Sequence, residues 1–97
     1  METLSFTYPA RARVSRRVHV GVVGSGDLEI LLEPSADGAA HVSVTTSVEG
    51  FDAAWKNVLD RFFSRFDGAA AIEINDFGAT PGVVMLRLEQ AAEALRS

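Results

Sequence analysis

The sequence predicts a small α+β fold, a two-layer sandwich of a mainly antiparallel sheet and two amphipathic helices. Three observations carry this. Apolar residues alternate with period two through the first half of the chain, the period becomes helical at Phe51, and turn residues separate the blocks at short intervals. The 97 residues suit a single domain, 1–97, with one core.

Leu4, Phe6 and Tyr8 alternate with Thr3, Ser5 and Thr7, as in a half-buried strand, and Pro9 ends the pattern. Ala10 to Ser15 read as a loop. Val18, Val20 and Val22 alternate with Arg17, His19 and Gly21, and after Gly24-Ser25-Gly26-Asp27 the pattern resumes at Leu28, Ile30 and Leu32. Two strands joined by a tight turn are expected. Pro34 to Gly38 make another turn, before a strand whose Val42 and Val44 face away from His41, Ser43 and Thr45.

Phe51, Ala54, Trp55, Val58, Leu59, Phe62, Phe63 and Phe66 then fall on one face of a helix of about four turns, closed by Gly68. Ile72 and Ile74 mark a short strand and Asn75 to Gly78 a turn. Thr80-Pro81 opens a second helix, because Thr caps free amides and Pro is preorganised at the first helical position. Val84, Leu88, Ala91, Ala92 and Leu95 share its inner face, with Arg87, Gln90 and Glu93 outward. The expected core takes Val18, Val20, Leu28, Ile30, Val42, Trp55, Leu59, Phe62, Ile74 and Leu88.

The apolar fraction of 47% with 23% charged residues is that of a soluble globular chain, and no apolar run approaches a membrane span. The first residues do not have the basic-then-apolar layout of a secretion signal, so a cytoplasmic location is expected. Cysteine is absent, which excludes disulfides and thiolate chemistry of the chain's own. A net charge of −4 argues against nucleic-acid binding, although Arg11, Arg13, Arg16 and Arg17 form a local basic cluster.

The most informative stretch is Val22 to Glu29, which places Ser25 between two glycines at a hairpin tip. Gly24 and Ser25 suit the central positions of a turn whose first residue needs positive φ, and Gly26 leaves room beside the hydroxyl. Turn chemistry alone does not separate a displayed serine from an ordinary hairpin turn. A dinucleotide loop is rejected because alternating residues, not a helix, follow the glycines. Asp76-Phe77-Gly78 matches a kinase tripeptide in a chain with no phosphate or catalytic loop. His19 and His41 lack a partner at ligand spacing, so no metal site is expected, and no strained elbow makes Ser25 a nucleophile.

Val22 to Pro34 (VVGSGDLEILLEP), the Gly50 to Phe66 helix and Ile72 to Val83 (IEINDFGATPGV) resemble the acyl-carrier, or delta, subunit of malonate decarboxylase. The resemblance covers nearly the whole chain and is weakest over Ala10 to Arg17 and Ser35 to Ala40. A looser likeness to the citrate lyase gamma subunit rests on the serine turn and Asp76-Phe77-Gly78-Ala79. The resemblance implies a non-catalytic carrier whose Ser25 is esterified to 2'-(5''-phosphoribosyl)-3'-dephospho-CoA, with Gly24, Gly26 and Asp27 supporting the turn. It implies as partners an acyl-transferase (alpha) subunit, decarboxylase (beta, gamma) subunits and a prosthetic-group transferase. It also implies a cycle in which acetyl on the arm is exchanged for malonyl, which is then decarboxylated by the partner subunits. Arg16 and Arg17, expected close to the turn across the hairpin, are candidates to meet partners or the arm's phosphates. The Asp-Ser-Leu signature and all-helical pattern of the common four-helix carriers are absent. The competing reading is a small α+β binding or regulatory module in which Ser25 is only a turn residue.

Overall fold

Alternation along the strands decides which side of the sheet becomes the core. The computed structural model describes residues 1–96. Its elements are β1 (Glu2–Tyr8), β2 (Ala12–Arg13), β3 (Val18–Gly21), β4 (Leu28–Pro34), β5 (Ala40–Thr46), α1 (Asp52–Phe63), β6 (Gly68–Asp76) and α2 (Pro81–Arg96). The sheet runs β1-β5-β6-β4-β3, with β2 added beside the start of β6. Three pairings are antiparallel, but β5 and β6 are parallel because α1 carries the chain back between them.

The register sets Leu4 beside Val44, Val42 beside Ile72 and Ile74 beside Ile30, so one face is a continuous apolar surface. Both helices cover that face, α1 against β1 and α2 against β3 and β4, and they pack on each other. Leu28, Ile30, Val44, Leu59, Phe62, Ile74 and Leu88 are buried in one cluster with Trp55 and Val84. Burial of each such side chain contributes about 1.5–3 kcal/mol. Of the expected core only Val18 and Val20, on the last strand, are half-buried. The opposite face is polar: His19 Nε2 lies 3.0 Å from Glu29 Oε2, and Asn75 Nδ2 donates to Glu29 Oε1 at 3.0 Å. Among the described residues no helix is long and apolar enough to cross a membrane.

The structure corrects four local expectations. Ala12–Arg13 is not loop but a short strand parallel to Gly68–Ala69, anchored where Val14 is buried. α1 ends at Phe63 with Ser64 as its cap, and Phe66 packs on Phe62 from beyond the helix, ring centroids 4.9 Å apart. Gly68 opens β6 and does not close the helix; a side chain there would run into the Phe66 ring and Val14. Phe51 sits at the N-cap, 53% exposed, outside the stripe assigned to it.

Candidate functional site

Ser25 is exposed at the tip of the β3–β4 hairpin. The Asp27 amide donates to the Gly24 carbonyl at 3.0 Å, and Gly26 has φ +76°. These features mark a type II turn with Ser25 at its second position and Gly26 at its third, where only a residue free of Cβ strain takes positive φ cheaply. The turn is therefore displaced by one residue from the expected register, and its positive φ falls at Gly26 and not at Gly24. Entry to the loop is set by Gly21 at φ +82°, where a Cβ would collide with the Leu28 carbonyl oxygen. The Val22 amide bonds that same oxygen at 3.1 Å.

The turn is braced from the last quarter of the chain. The Gly26 amide donates to the Phe77 carbonyl at 2.7 Å, and the Phe77 amide donates to the Asp27 carbonyl at 3.0 Å. Asp27 turns its carboxylate inward, accepting from the Leu28 amide at 2.7 Å and from both Nε and Nη2 of Arg87. The Arg87 hydrogen bonds, then the Leu28 amide, hold the Asp27 carboxyl below the ordinary carboxylate range. Asp76 organises the neighbouring loop from within: buried, it accepts from Thr46 Oγ1 at 2.8 Å and from the amides of Gly78 and Ala79. Thr80 then caps α2 as expected, accepting the Val83 amide at 3.3 Å.

Ser25, Gly24, Gly26 and Asp27 thus form one braced unit. Arg16 and Arg17 stand at the other end of β3 from it. Arg17 precedes β3 and lies 3.4 Å from Glu33 at the far end of the hairpin, about 13 Å of strand away from Gly21. The basic residue that does reach the turn is Arg87, which the helical pattern turns outward. Its signal in the sequence is weak, since an arginine on the flank of an apolar stripe looks like any solvated one. His19 and His41 each meet a carboxylate, His41 Nε2 lying 2.8 Å from Asp37 Oδ2.

The hydroxyl of Ser25 has open surroundings. Among the described residues it engages in no hydrogen bond, a Cβ added at Gly26 meets nothing within 4 Å, and one at Gly24 meets only Val22 at 3.7 Å. A serine so placed can serve as a handle for covalent attachment. The model of the malonate decarboxylase delta subunit family matches residues 15–95. The chain belongs to that family. A malonate decarboxylase acyl carrier protein of Pseudomonas paraeruginosa is 56% identical over 94 residues, covering 96% of this chain and 95% of that one. The corresponding protein of Azotobacter vinelandii is 52% identical with the same coverage. A chain in the crystal structure of a Pseudomonas malonate decarboxylase hetero-tetramer in complex with malonate superposes with a TM-score of 0.93 at 51% identity, covering 98% of this chain and 99% of that one. The fold of this delta subunit family is accordingly the mixed α+β sandwich and not a four-helix bundle.

Proposed function

We propose that this chain is the acyl-carrier subunit of a malonate decarboxylase and carries its arm, 2'-(5''-phosphoribosyl)-3'-dephospho-CoA, on Ser25. The observation that carries the reading is the serine turn: an exposed, unbonded hydroxyl held between two glycines by a brace that leaves its outer side open. When bound, the arm supplies a thiol that this cysteine-free chain lacks, and a thioester carbonyl able to accept negative charge.

The chain's own residues display and orient. Gly26 gives the turn its shape, Asp27 and Phe77 fix it, and Arg87 locks Asp27 onto α2. The nearest carboxylate in sequence, Asp27, is already committed to Arg87 and the Leu28 amide, so it is not free to take the serine proton. Removal of that proton during attachment therefore falls to the prosthetic-group transferase, and the acyl chemistry to the alpha, beta and gamma subunits. A mobile arm lets one carrier serve several sites by raising local concentration.

The test is peptide mass mapping of wild-type and Ser25→Ala chains after incubation with the transferase and its CoA-derived donor, with circular dichroism as the folding control. The expected result is an adduct on Ser25 in the wild type only, with both chains folded, since a surface change of this kind shifts stability by about 0.5 kcal/mol or less. An adduct elsewhere, or on the variant, overturns the assignment.

A further inference from the structure

Between the N-terminal turns of α1 and α2 lies a cleft of ≈ 290 Å³ whose walls include Val48, Phe51, Ala54, Trp55, Ala79 and Val84. This is the size and character of a small-ligand site. Its polar side chains are Thr46, Asp76 and Thr80, and each already has a partner: Thr46 donates to Asp76, which also accepts the Gly78 and Ala79 amides, and Thr80 accepts the Val83 amide. The cleft thus offers apolar surface and few free donors. Phe51 is 53% and Val48 38% exposed at its rim, so an occupant removes apolar area from water.

The cleft adjoins the serine turn. Gly78 and Ala79 line it, and the residue before them, Phe77, is the one whose backbone pairs with Gly26 and Asp27. Summing bond lengths along that path puts the Cα atoms of Ser25 and Gly78 at most about 10 Å apart. Whatever Ser25 carries on a flexible arm is therefore presented to the cleft at an effective concentration in the millimolar range, and weak binding fills it.

Charge decides what the cleft accepts. An acetyl thioester is neutral and small. A malonyl thioester ends in a carboxylate, which would exchange water for apolar walls beside the Asp76 carboxylate, with no basic side chain among the lining residues and with the N-terminal dipoles of the two helices already answered by Asp52 in the first turn of α1 and by the Thr80 cap of α2. We infer that the cleft between α1 and α2 shelters the acetyl thioester borne on Ser25 and leaves the malonyl thioester in solvent. This rests on the Ser25 attachment reading. The carrier would then present its malonyl form to partner subunits more readily than its acetyl form.

Trp55 is the single tryptophan of the chain and lines the cleft, so it reports occupancy. Loaded carrier would be prepared with a free thiol, an acetyl group or a malonyl group on the arm, each verified by intact mass and by mapping to Ser25. Two quantities would then be read: Trp55 emission, and the rate at which hydroxylamine cleaves the thioester relative to acetyl-CoA or malonyl-CoA in the same buffer. The expected result is a Trp55 change on acetylation only, with acetyl-carrier cleaved at least about threefold more slowly than acetyl-CoA and malonyl-carrier cleaved like malonyl-CoA. Ala54→Leu, which fills the cleft, should bring acetyl-carrier to the free rate; the emission comparison on wild-type chain stands without any variant. Identical emission in the three forms and unprotected acetyl-carrier, with the arm mapped to Ser25, overturns the inference and leaves the attachment reading intact. Loss of complex assembly in Ala54→Leu with unprotected wild-type acetyl-carrier assigns the cleft to a partner side chain and overturns it also. Failure to find an arm on Ser25 overturns both.

Discussion

Arg87 grips Asp27 with two donors, Nε to Oδ1 at 3.1 Å and Nη2 to Oδ2 at 2.7 Å, across 60 residues of sequence. Both side chains are only about a quarter exposed, and the planar fork fits the carboxylate in a way no lysine reproduces. Arg87→Lys should therefore loosen the turn nearly as much as Arg87→Ala. Hydrogen exchange at Gly26 and Leu28 should accelerate in both variants while the β5–β6 amides stay protected. Priming of Ser25 should slow through a raised KM, because the hydroxyl itself is untouched. Unchanged exchange at Gly26 in Arg87→Ala would show that the Phe77 backbone pairing alone holds the turn.

Acid should weaken the same contact. The Asp27 carboxyl is held below its ordinary value of 3.8, so its contribution is fully present above that pH and is lost as pH falls through the lower native value. Asp37, through the Ala39 amide and His41, and Asp60, through Lys56 and Tyr8, titrate in the same sense. Urea midpoints measured between about pH 5 and pH 2 should fall for the wild type, and less steeply for Arg87→Ala, whose Asp27 lacks its largest perturbing partner.

Tyr8 governs the alkaline limb below the range in which arginine loses its proton. Tyr8 is the single tyrosine; its hydroxyl donates to Asp60 at 2.7 Å and its ring stacks on Phe63 with centroids 4.2 Å apart. Burial, then the Asp60 hydrogen bond and charge, raise the phenol above its ordinary value of 10.0. The stabilisation is fully present below pH 10.0 and is lost as pH rises toward the native value. Absorbance at the phenolate band should stay flat through pH 10 until the chain unfolds, and Tyr8→Phe should remove this alkaline dependence at the cost of the Asp60 hydrogen bond. A simple titration centred at the ordinary value in folded protein would refute it.

Two glycines of the hairpin should respond differently to alanine. Gly26→Ala meets open space, so its cost is that of a left-handed residue, about 1–2 kcal/mol. Gly21→Ala adds to the same strain a collision with the Leu28 carbonyl, backbone that cannot swing aside without breaking the Val22 hydrogen bond. Its loss should exceed that of Gly26→Ala by about 1–3 kcal/mol in denaturant unfolding. Equal losses would contradict the close approach of Gly21 to the Leu28 carbonyl.

Much of this is legible in the sequence, and the reasons for the rest are physical. Alternation in Leu4-Phe6-Tyr8 and Leu28-Ile30-Leu32 gives each strand its buried face directly, and Thr80-Pro81 marks a helix start by local chemistry alone. Periodicity starts β6 at Ile72, four residues late, because Ala69-Ala70-Ala71 carries no strand preference and becomes strand only by lying between partners. β2 has two residues and no periodicity to detect. The glycines reveal the serine turn, but which glycine takes positive φ depends on the Phe77 loop that holds it, and the Arg87 brace is a tertiary contact that no local spacing encodes.

The buried Thr46–Asp76 pair supports one further expectation. Asp76→Ala would strip the Thr46 hydroxyl and the Gly78 and Ala79 amides of their acceptor, at a loss of about 2–5 kcal/mol in urea unfolding. Thr46→Val should lose less, because Asp76 keeps both amides.

A ribosome makes the serine hairpin early and its brace late. The two hairpin strands are complete once Pro34 has emerged, but Phe77 and Arg87 follow only after most of the remaining chain, several seconds later at about 5–20 residues per second. β4 must also wait for β6 as its neighbour, and β6 for α1. During that interval the serine rides on a lone hairpin, a structure marginal in water. An enzyme that requires the braced turn would therefore pass over chains in which Phe77 and Arg87 have not yet been made.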